Sequence, residues 1–135
     1  QTWGRSTGNG VYDKLYVVKG GTTDRLLINF TGVKKANDGL YPTTNVEGFA
    51  PGGLICPSYY YMALLSEKAG VYHAIAFFVP HSELLPDNPG KDEFMVYAVS
   101  IESLEYETGI DFFCNLPNEI EKKVEAVYNA EDWVW

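Results

Sequence analysis

The residues able to move a proton, hold a metal or attack a substrate are few in this chain of 135 residues: two histidines, two cysteines and a scatter of carboxylates. His73 stands inside a continuous apolar run, between Tyr72 and Ala74, the setting of a hydrogen-bonded core histidine. His81 follows Pro80 at the end of that run and opens a loop, as a surface or turn residue does. Glu102, Glu105 and Glu107 fall on a short helical stretch where Glu102 and Glu105 share a face at i, i+3, a pattern that reads as a solvated face. Asp87, Asp92 and Glu93 lack the alternating oxygen spacing of a calcium loop. Gly20-Gly21-Thr22 follows an apolar run but has neither phosphate-loop pattern, so it reads as the turn by which the chain leaves a sheet. Asn29-Phe30-Thr31 matches a glycosylation sequon, yet it falls in a predicted strand. Cys56 and Cys114 rule out a CxxC knuckle and leave two readings open: a pair of buried free thiols, or one disulfide, which an oxidising compartment would favour.

The elements that must position these groups follow from composition and periodicity. Apolar content of 46% supports a packed core, and the length suits one domain or part of one. A net charge of −8 argues against a broad basic surface and loose nucleic-acid binding, though a small basic cleft is compatible with it. No apolar run reaches 18 residues, so no membrane-spanning helix is predicted. Tyr12 to Val18 predicts a buried strand ended by Gly20-Gly21, and Arg25 to Phe30 a second short one. Residues 31–53, rich in Gly and Pro, predict a long loop. Residues 59–65 and 72–79 predict adjacent antiparallel strands apolar on both faces, joined through Glu67-Lys68-Ala69-Gly70 with positive φ at Gly70. A loop over 80–92 and a strand over Phe94 to Val99 follow. Ser100 predicts the cap of a short helix that buries Ile101 and Leu104 and ends at Gly109. A second helix is predicted from Asn118 as its cap, with Glu121 at the capping-box position and an inward stripe of Ile120, Val124, Val127 and Tyr128. Trp133 and Trp135 are expected to dock onto the body of the domain.

Taken in order, the segments Leu15-Tyr16-Val17-Val18-Lys19-Gly20-Gly21-Thr22, Tyr59-Tyr60-Tyr61-Met62-Ala63-Leu64-Leu65, His73-Ala74-Ile75-Ala76-Phe77-Phe78-Val79-Pro80, Val99-Ser100-Ile101-Glu102 through Thr108-Gly109-Ile110-Asp111-Phe112-Phe113, and Asn115-Leu116-Pro117 resemble a known family. It is the DNA/RNA non-specific endonucleases, the sugar-non-specific ββα-metal nucleases, and the likeness is to their C-terminal half, from about Leu15 to about Tyr128. The resemblance implies an α+β fold of the His-Me finger type: a mostly antiparallel central sheet with helices packed on it. It implies hydrolysis of phosphodiester bonds in DNA and RNA. One divalent ion, magnesium, would be held by an Asn side chain, a histidine would activate water, and an arginine would stabilise the transition state.

In that family the histidine lies in an Asp-Arg-Gly-His sequence. Asp24-Arg25 begins like it but continues Leu26-Leu27, so no residue here matches the base or the metal ligand. The resemblance therefore implies that residues 1–135 are the C-terminal portion of one nuclease domain, with the catalytic hairpin and metal-bearing helix upstream of Gln1. Gln1 is not an initiator, so the chain is expected to begin at a processing or cleavage point, with any secretion signal upstream. Trp3 resembles the tryptophan near the end of the metal-bearing helix, Arg5 corresponds to the family's arginine, and Lys19 stands at a strand end where it could face a phosphate. The expectations are an inactive scaffold half, a secreted or cell-envelope protein, and a partner that is either the missing N-terminal half or a second copy, contacting Leu15–Val18. A reading from another class is a catalytically empty nuclease-like binding or inhibitor module, which the acidic balance suits.

Overall fold

The computed structural model describes residues 12–30, 43–82 and 90–133. Trp3, Arg5, Asp87, Trp135 and residues 31–42 of the 31–53 segment lie outside the described residues. Three long strands, β1 (Lys14–Gly21), β2 (Tyr59–Lys68) and β3 (Val71–Pro80), and a two-residue strand β4 (Ala98–Val99) form one sheet in the order β1-β2-β3-β4. The sheet is antiparallel, and with its helices it is an α+β fold. The helices are α1 (Lys91–Met95), α2 (Ile101–Thr108) and α3 (Asn118–Ala126), followed by a 3₁₀ turn at Ala130–Asp132. By chain contacts the described residues fall into two compact units. The first takes in those up to Lys19, Tyr61–Phe78 and those beyond Pro89; the second takes in those of Gly20–Tyr60 and Val79–Asn88.

In the first unit the central strands carry consecutive buried residues, Ala63–Ser66 on β2 and Ala74–Phe77 on β3. Both faces are thus covered, as their two-sided apolar sequence requires. Period-two alternation sorts them. Ala63, Leu65, Ala74 and Ala76 join a cluster with Ile101 and Leu104 of α2, Phe112, and Val124 of α3. Phe77 points the other way and meets the Phe94 ring of α1 at 4.3 Å between centroids. Ser66, the one polar residue in these buried runs, donates its hydroxyl to the His73 carbonyl at 3.5 Å.

The hairpin turn is tighter than the four residues predicted for it: only Ala69 and Gly70 separate β2 from β3. Both have positive φ, 52° and 78°, the type I′ geometry that matches strand twist. The strain at a residue with a Cβ falls on Ala69, whose N–H donates to Asp13 Oδ2 at 2.8 Å. Ala69→Gly is expected to stabilise the fold by about 0.5–1 kcal/mol, because glycine removes the left-handed penalty. An unchanged or lower midpoint in urea unfolding would show that the turn is not strained.

Several expected elements differ. The strand predicted over Tyr12–Val18 is shifted to Lys14–Gly21 and is not buried: β1 is a sheet edge, with Tyr16, Val17 and Val18 all exposed. The strand expected over Phe94–Val99 is a helix followed by two strand residues. Asp92 and Glu93 suit a first helical turn, Glu93 accepts the Gly90 N–H at 2.7 Å, and the strand that pairs with β3 is reduced to Ala98 and Val99, opposite Phe77 and Ala76. The α2 helix begins and ends as predicted. Ser100 Oγ accepts the Ser103 N–H at 3.1 Å, and Gly109 closes it at φ 69°. At α3 the cap is Pro117, not Asn118, and the stripe stops early, leaving Val127 beyond the helix and exposed. Trp133 does dock, against Tyr12 at 5.8 Å.

In the second unit Arg25–Phe30 is not a strand. Asn29 takes φ 50° and breaks the extended run, and one bridge, Leu26 to Pro57, remains. The part of the glycine- and proline-rich segment that is described is cross-braced. Asn45 Oδ1 accepts the N–H groups of Glu47 and Phe49, both at 2.9 Å, and Phe49 bridges Ile55. Gly48 has φ 87°, and a Cβ there would lie 2.4 Å from Leu26 Cβ, so no other residue fits.

Candidate functional site

The first unit holds a cleft of about 540 Å³ between β3 and α3, floored by Ala74 and Val124 and rimmed by His73, Lys123, Tyr128 and Asp132. His73 lines this cleft beside Ala74, at the hairpin end of β3. The 3₁₀ turn brings Asp132 to it: Asp132 Oδ2 lies 3.0 Å from His73 Nδ1. A carboxylate on Nδ1 holds the proton there and leaves Nε2 as the basic nitrogen, so the pair is chemically able to accept a proton. His73 is therefore not the core histidine its sequence context implies; its side chain is 40% exposed. Asp132 has no periodic relation to β3, and no sequence signal announces this pairing.

A second cluster lies where α2 and α3 meet. Carboxylate oxygens of Glu105, Asp111 and Glu125 all come within 4.8 Å of one another. Glu105 Oε1 accepts the Phe112 N–H at 2.7 Å. Glu125 Oε1 is sealed from solvent and has no hydrogen-bond partner among the described residues. Burial, followed by the charges of Glu105, Glu121, Asp111 and Glu102, pushes the Glu125 carboxyl up to about 7. Burial also raises Glu105, against the opposing hydrogen bond from Phe112 and with the charges of Asp111, Glu121 and Glu102. The trio suits magnesium poorly. That ion keeps several waters in a strict octahedron, whereas here one oxygen is sealed and another is spent on a backbone N–H. The expected solvated face holds for Glu102, which is exposed, but not for Glu105. No spacing pattern singled out Glu125, because a residue adjacent to Val124 does not share its helix face.

In the second unit His81 is packed rather than free on the surface. Its ring lies 5.5 Å from Phe30 and 5.2 Å from Tyr60, and Nδ1 lies 3.2 Å from the Pro57 carbonyl. Cys56 Sγ is 3.6 Å from the same nitrogen, but burial pushes the thiol up and away from the reactive thiolate. Cys56 and Cys114 are free thiols, Cys56 partly buried and Cys114 exposed. Thr22 is buried and its hydroxyl donates to the Arg25 carbonyl at 2.7 Å; Gly20 and Gly21 are the last residues of β1 and not the turn expected of them, and the chain leaves the strand at Thr22. Lys19 is exposed on β1. Neither it nor Arg25 belongs to the His73 cleft.

A family model described as DNA/RNA non-specific endonuclease matches residues 5–119. No curated protein matches the chain.

Proposed function

The chain belongs to the DNA/RNA non-specific endonuclease family, and from that premise we propose that it is the scaffold portion of a metal-dependent endonuclease hydrolysing phosphodiester bonds in DNA and RNA. The observation that carries this reading is the family match across most of the chain, laid on an antiparallel sheet flanked by helices. The scaffold's task is to hold a base and a metal ligand supplied from outside these residues. No residue of the chain matches the family's histidine or its Asn. Magnesium, held there, would neutralise charge on the scissile phosphate and the leaving oxygen. Lys19, exposed on the edge strand, and Arg5 would meet backbone phosphates as point charges, without sequence preference. Such a protein would work outside the cytoplasm, in secretion or at the cell envelope.

The test is nuclease assay of the product of the gene's complete reading frame, with plasmid DNA and with RNA, with magnesium and with a chelator. Cutting of both polymers that the chelator abolishes supports the reading. A complete product that binds nucleic acid or another nuclease but cuts neither polymer points to the second reading, an empty binding or inhibitor module. That module is favoured by one feature, the concentration of Glu102, Glu105, Asp111, Glu121 and Glu125 about the α2–α3 junction.

A further inference from the structure

We propose that α2 and α3 are joined by a proton-linked latch, in which the Glu125 carboxyl group donates a hydrogen bond to Glu105 and releases α3 when it loses its proton. Three facts of geometry carry this. The two carboxylates approach across the helix–helix seam. Glu125 Oε1 is sealed from solvent and has no donor among the described residues. A buried oxygen without a donor is costly as a charge and cheap as one end of a shared proton. Glu105 is a prepared acceptor, because the Phe112 N–H at 2.7 Å already fixes its carboxylate. The groups that bear on Glu125 are all acidic: Glu102 and Glu105 from α2, Asp111 from the segment that follows it, and Glu121 from α3 itself. Each repels a second charge, so the only neutralising partner on offer within the cluster is a proton.

The sign follows from the direction of the shift. A carboxyl raised from its ordinary 4.5 to about 7 contributes stability that is fully present below the ordinary value and is lost as pH rises through about 7. The latch is closed in mild acid and open in mild alkali. Because α3 also carries Lys123 and Val124 of the His73 cleft, opening the latch loosens one wall of that cleft.

Carboxyl carbon NMR of the 135-residue chain tests this, with the Glu125 resonance assigned through Glu125→Gln. Its midpoint is expected near 7, where burial and the neighbouring carboxylates push it, and Glu105→Gln should lower it. Amide protection in α3 should fall on the order of a few hundredfold as pH rises from the ordinary 4.5 to about 7, tenfold for each unit of the shift, and Glu125→Gln should abolish that fall. A Glu125 midpoint at the ordinary carboxylate value overturns the proposal, and so does an equal loss of α3 protection in the glutamine variant. If millimolar magnesium or calcium shifts the midpoint strongly down and protects α3, the cluster takes a cation and not a proton, and the latch is wrong.

Discussion

Mixed with magnesium and supercoiled plasmid, the purified 135-residue chain is expected to leave the plasmid intact. Water activation by a positioned base is worth about 10²–10⁴-fold in rate, and a metal adds several kcal/mol of charge stabilisation. The family's Asp-Arg-Gly-His sequence does not occur in the chain, where Asp24-Arg25 continues Leu26-Leu27, and on the proposed reading the base and the Asn ligand are supplied from outside it. The two imidazoles present are differently engaged. His81 is walled by Phe30 and Tyr60 and its Nδ1 faces a carbonyl, and His73 is held by Asp132 in a cleft that shares no residue with Lys19. Cutting that survives replacement of both histidines would leave the reaction with no base in the chain and defeat the expectation. Cutting lost with His73→Ala alone would also defeat it, and would assign the base to the His73–Asp132 pair.

The largest loss of stability should come from Phe77→Ala. Phe77 is fully buried, and its ring stacks on Phe94 at 4.3 Å, so it joins the central strand to α1. Removing it costs about 3–5 kcal/mol in lost transfer energy and cavity. That is comparable with the whole stability of a small domain. In urea unfolding the midpoint should collapse, and the soluble yield should fall with it. A cost near that of an exposed site, below about 0.5 kcal/mol, would mean that the sheet face under α1 is not a packed core.

What the sequence disclosed divides along physical lines. The β2–β3 pair was legible because two largely apolar runs, 59–65 and 71–79, separated only by residues 66–70, leave few arrangements other than a covered hairpin. The α2 helix was legible because Ser100 and Gly109 each act locally. The strand error at Phe94–Val99 has the opposite cause. Phe94, Val96 and Tyr97 have strand propensity, but tertiary packing on Phe77 and the Glu93 cap selected a helical turn. Tyr12–Val18 reads as buried because hydrophobicity states a preference for burial and not whether a neighbour exists to provide it. The His73–Asp132 and Glu105–Glu125 contacts are products of topology. They join residues from different elements, and no spacing rule along the chain connects them. Lys19 was placed on a strand and is there, exposed; Arg5 lies outside the described residues.

The two-residue turn between β2 and β3 also sets an order of events. Pairing across it closes almost no loop, whereas β1 must wait for β2, which begins only at Tyr59, and closing that longer span has a larger entropy cost. Local pairings form early and distant ones late. The central hairpin should then be the nucleus on which the rest assembles, and relief of strain at Ala69 should appear mainly as faster refolding, with the unfolding rate little changed. The edge strand, joining last, is the one that a competing strand from another molecule has time to displace.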